Sequence, residues 1–139
     1  AAQRSAMRKL VGNLKLELSQ YQEVEHFTRF GTEVDESTRK QINKGQRILS
    51  IFKQKPNRPY SFPITILVLY ALNTGAMEQI PLWQISEYEQ ELIDYVKSHQ
   101  NKLLSDIDKE GQITDVIIEE LDQVLQNFNQ KFLSEGDIL

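Results

Sequence analysis

The chain has 139 residues, a net charge of −4, 40% hydrophobic and 26% charged residues, and no cysteine. Those proportions fit one globular domain large enough to bury a core, and they exclude disordered and membrane-spanning classes. The acidic balance leaves no broad basic face for nucleic acid. The missing thiols exclude disulfides, thiolate metal sites and a cysteine nucleophile.

The opening Ala1-Ala2-Gln3-Arg4-Ser5-Ala6 has no apolar region of the kind a secretory leader carries. It also lacks an initiator methionine and begins almost inside a helical pattern, so a fragment or processed product is expected. Met7, Leu10, Val11, Leu14, Leu18, Tyr21, Val24 and Phe27 then follow in steps of three and four. That spacing predicts one long helix over residues 6–29, ended near Gly31. Gly12 inside it reads either as a point of close backbone approach or as a tolerated glycine costing about 1 kcal/mol against alanine.

Residues 32–35 form a polar connection in which Asp35 can cap the next helix, with Glu36 in its first turn. That helix places Ile42, Ile48, Leu49 and Phe52 on one side and ends near Lys53. Pro56 and Pro59 shape the loop that follows. Pro63 suits the first turn of a third helix, apolar nearly all round over residues 64–72 and stopped by Gly75. This helix is expected to be the buried one. Its nine-residue apolar stretch is far short of the roughly 20 residues a membrane span needs. Pro81 opens a fourth helix over 82–98, with Ile85, Tyr88, Leu92, Tyr95 and Val96 inward. A short helix over 102–108 ends at Gly111. Thr114 caps the last one, whose stripe is Ile117, Ile118, Leu121, Val124, Leu125, Phe128 and Phe132.

The expected fold class is therefore all-α: a compact bundle of about six mostly antiparallel helices without a sheet. It occupies residues 1–133, followed by a loose tail over 134–139.

Chemistry-bearing patterns are few. His26 and His99 lie on different helices without metal-ligand spacing, and the run Glu87-Tyr88-Glu89-Gln90-Glu91 reads as a solvated helix face. No phosphate-binding glycine loop and no nucleophile elbow occurs. No catalytic residue and no metal ligand is predicted. The aromatic residues are expected in the core. Trp83 either anchors an interface or, as expected, covers one end of the bundle.

Residues 5–21 (SAMRKLVGNLKLELSQY) closely resemble the opening of the carboxy-terminal domain of F-type ATP synthase alpha subunits, AMKxVAGxLRLDLAQYREL. Residues 27–38 (FTRFGTEVDEST) are similar to FAQFGSDLDxAT, Lys44-Gly45-Gln46-Arg47 to RGxR, and Phe52-Lys53-Gln54 to LKQ. Leu69-Tyr70-Ala71-Leu72 with Gly75, Ile80 and Pro81 resembles IYALxxGxLDxIP. The series keeps its order over a hundred residues, which makes it specific.

The resemblance implies a helical domain at the membrane-facing end of an alpha/beta hexamer. Its partners are the rest of the alpha subunit, beta subunits and the gamma central stalk. Thr32, Glu33, Val34, Asp35 and Glu36 match the element facing the stalk. Gln54 matches a glutamine bordering the adenine of ATP or ADP, held with Mg at the alpha subunit's non-catalytic site. Where the family often has a second glutamine this chain has Pro56, which offers only an apolar face. Residues 61–65 also depart, being more apolar than the family's acidic start. The phosphate loop and the arginine that reaches the catalytic site lie upstream in the family. The chain alone is thus expected to bind no cofactor and to hydrolyse nothing, serving the complex's proton-coupled ATP synthesis as a non-catalytic part. The implied location is peripheral to an energy-coupling membrane, on the cytoplasmic, matrix or stromal side, with no direct insertion and no nucleic acid. The alternative is an unrelated all-helical protein-interaction module.

Overall fold

A computed structural model describes the backbone of residues 2–28, 35–53 and 59–137, and the side chains of 5, 7–26, 35–53 and 59–134. Among these residues the elements are α1 (Ala2–Thr28), α2 (Glu36–Lys53), α3 (Phe62–Thr74), α4 (Ile85–His99), α5 (Asn101–Glu110) and α6 (Asp115–Asp137), with a 3₁₀ turn at Leu82–Gln84 and no strand. The all-α expectation holds.

Helix α3 is the centre. Nine of its residues are buried, among them Ile66, Leu67 and Ala71 with no exposure. Its β-branched residues (Ile64, Thr65, Ile66, Val68) favour a strand locally, yet burial on every side decides for a helix: each fully buried aliphatic chain is worth about 1.5–3 kcal/mol. The helix starts on Pro63, and the amide of Thr65 donates to the Ser61 carbonyl at 2.9 Å. It stops at Gly75, whose φ of 83° only glycine adopts without strain. The Gly75 and Ala76 amides then donate back to the Leu72 and Ala71 carbonyls, at 3.2 and 3.1 Å.

The remaining helices wrap α3. Helix α1 lies on α2 and α3 through Leu10, Leu14 and Tyr21; α4, α5 and α6 close the other side with Tyr88, Leu92, Ile107, Leu121 and Phe128. Gly111, at φ 66°, ends α5, and the Thr114 hydroxyl accepts the Ile117 amide at 3.2 Å to start α6.

Several expectations are corrected. On α2 the core-facing aliphatics are Ile48 and Ile51, whereas Phe52 is 40% exposed, because the helix is rotated to put Gly45 and Arg47 inside. Residues 82–84 form a 3₁₀ turn before α4 begins. Trp83 is 79% exposed, so it does not cover the end of the bundle. Of the two readings of Gly12 the tolerated glycine holds, since a Cβ there would meet nothing within 4 Å among the described residues.

Candidate functional site

In the chain, the predicted contact residues flank α2, and among them Asp35 and Glu36 are described. Eighteen residues at about 1.5 Å rise make α2 roughly 27 Å long. At its N-terminal end the Asp35 carboxylate accepts the Thr38 amide at 2.7 Å, and Arg39 donates its amide to the Asp35 carbonyl at 3.0 Å. Hydrogen bonds from Thr38, first through its side chain and then its backbone, hold the Asp35 carboxyl below its ordinary pKa. Asp35 and Glu36 are both exposed, so the cap leaves their charge facing solvent at a helix N-terminus. Thr32, Glu33 and Val34 lie outside the described residues.

At the other end α2 stops at Lys53. Gln54 and Pro56 also lie outside the described residues, and the chain is next described at Pro59 and Tyr60. Tyr60 is half-buried and its hydroxyl donates to the Glu89 carboxyl on α4. Burial raises the Glu89 pKa, and the Tyr60 hydrogen bond opposes that shift. The Tyr60 phenol is itself pushed up, by burial first and then by the neighbouring Glu89 charge. The returning end of this loop is thus tied to α4.

Four contacts fix α2 between those ends. Gly45 lies against the Tyr21 ring of α1 so closely that an added Cβ would fall on its Cβ and Cγ atoms, and 2.6 Å from Cδ1. Lys44 stands with Nζ 3.0 Å from both Glu17 carboxylate oxygens and donates to the Asn73 carbonyl of α3 at 2.7 Å. Arg47, 9% exposed, donates Nε and Nη2 to the Ile80 carbonyl at 3.3 and 2.8 Å. Its Nη1 reaches the Asn43 carbonyl at 3.2 Å. Burial lowers the guanidinium pKa and Glu78 raises it, and the group stays cationic. Ile48 and Ile51 complete the seat in the core.

Composition and periodicity gave no warning of these ties. Lys44, Gly45 and Arg47 stood out only through their likeness to a family pattern. The hydropathy signal points the wrong way for a buried arginine.

Residues 3–128 match the family described as ATP synthase alpha/beta chain, C terminal domain. The chain belongs to that family. It is 37% identical to ATP synthase subunit alpha of Petrotoga mobilis over 131 residues, covering 94% of this chain and 26% of that protein. It is also 37% identical to the alpha subunits of Lactobacillus johnsonii and Clostridium botulinum, covering 95% and 96% of this chain and 26% and 27% of theirs. The chain therefore spans about a quarter of the length of these ATP synthase relatives.

The unrelated interaction module is thereby set aside. Within this ATP synthase domain, His26 and His99 are exposed, and the His99 ring lies 5.1 Å from that of Tyr95. Among the described residues no group of three or more His, Asp or Glu could hold a metal ion, and no helix is long and apolar enough to cross a membrane.

Proposed function

We propose that the chain acts as the carboxy-terminal domain of an ATP synthase alpha subunit, using α2 as a rigid spacer between a stalk-facing acidic loop and an adenine-bordering loop. The observation that supports this reading is helix α2, which separates the two predicted segments in the chain and is tied to α1, to α3 and to the Ile80 carbonyl. Glu33, Asp35 and Glu36 meet basic groups of the gamma stalk, with Thr32 before them and Val34 among them. Such exposed charge contacts steer and select partners more than they add affinity. Asp35 suits that role because its lowered pKa keeps it ionised.

At the far end Gln54 hydrogen-bonds the adenine edge of ATP or ADP through its carboxamide, and Pro56 offers the base an apolar face. Phosphate and Mg contacts belong to the remainder of the subunit. Beta subunits flank the domain, which sits at the periphery of the energy-coupling membrane. Proton-coupled ATP synthesis and hydrolysis belong to the whole complex, and this chain alone turns over no ATP.

Zero-length carbodiimide cross-linking in native membranes tests the reading. The expected products join Asp35 or Glu36 to a lysine of the stalk subunit in a complex that also holds beta subunits. A chain that purifies without other synthase subunits, or whose purified form hydrolyses ATP well above background, refutes it. Photolabelling of residues 54–58 by 2-azido-ATP in the complex tests the adenine contact separately.

A further inference from the structure

We draw no further inference here: the strongest candidate, the exposed apolar turn Pro81-Leu82-Trp83 between α3 and α4, is an unpartnered surface patch, and nothing in the structure shows what covers it.

Discussion

Gly45→Ala sets helix propensity against packing at one atom. In an exposed helix the change stabilises by about 1 kcal/mol, because alanine loses less backbone freedom on folding than glycine. Here the new methyl lands on Tyr21 Cβ and Cγ and 2.6 Å from Cδ1. These atoms are the root of the tyrosine side chain, so the ring cannot swing clear and α1 must move off α2. Overpacking of this kind costs roughly 1–3 kcal/mol, and a clash with the root of a side chain belongs in the upper half of that range. The expected net effect is a loss of about 1–2 kcal/mol. Gly12→Ala supplies the control, since nothing lies within 4 Å of its Cβ. It is expected to gain up to about 1 kcal/mol. With an m-value near 2 kcal/mol/M, the urea midpoints of the two variants differ by about 0.5–1.5 M. A Gly45→Ala chain as stable as the parent would show that the α1–α2 contact is not tight, and the pinned-spacer argument would fail with it. Adding Tyr21→Gly removes Cβ, Cγ and Cδ1 together and so relieves the clash, and the double variant is expected to show a favourable coupling of about 1 kcal/mol or more.

Three further outcomes follow from the same geometry. Arg47→Leu strips two hydrogen bonds from the Ile80 carbonyl and one from that of Asn43. A loss of about 2–3 kcal/mol in thermal unfolding is expected, and an unchanged midpoint contradicts it. Glu89 has a folded pKa raised by burial, so folding takes up a proton between the unfolded and folded values. Its stability contribution is greatest below the unfolded pKa and is lost as pH rises through the folded one. Glu89→Gln still accepts the Tyr60 hydroxyl, so it is expected to unfold at higher temperature than the parent at pH 7, with the gap closing below about pH 4. Asp35 runs the opposite way: its lowered pKa stabilises above the unfolded value, and that support fades as pH falls through the folded one. Asp35→Asn keeps the cap and removes the charge, so it is expected to preserve helicity yet lose cross-linking to the stalk. Asp35→Ala loses both, and an Asn variant that still engages the stalk with full yield contradicts the charge contact.

Much of the fold was legible because its punctuation is local. Gly75 and Gly111 stop helices through positive φ, and Asp35 and Thr114 start them through single side-chain bonds. The central position of α3 was readable from apolar residues on every side. The rotation of α2 was not. Its apolar residues allow two faces, and the choice of Ile51 over Phe52 is made by Gly45 and Arg47, whose partners lie on α1 and before the 3₁₀ turn. A period-3.6 pattern carries no information about a glycine that a distant tyrosine requires. The same limit explains Gly12, where identical chemistry in an equally helical setting has no neighbour at all.

The candidate site inherits this division. Asp35 is visible in the sequence as a helix cap, whereas Gln54 is singled out only by its likeness to the family's LKQ pattern. The position of α2, which the two loops flank in the chain, is set elsewhere, by Tyr21, Glu17, Asn73 and Ile80 acting on Lys44, Gly45 and Arg47. Lys44 is the most economical of these, since one ammonium holds a carboxylate on α1 and a carbonyl at the end of α3. A half-buried ion pair adds little net stability, but its donors accept only a narrow range of helix positions, which is a constraint on geometry. Weakening these ties is therefore expected to disturb both proposed contacts together while every loop residue stays intact. Changes within one loop are expected to disturb one contact alone.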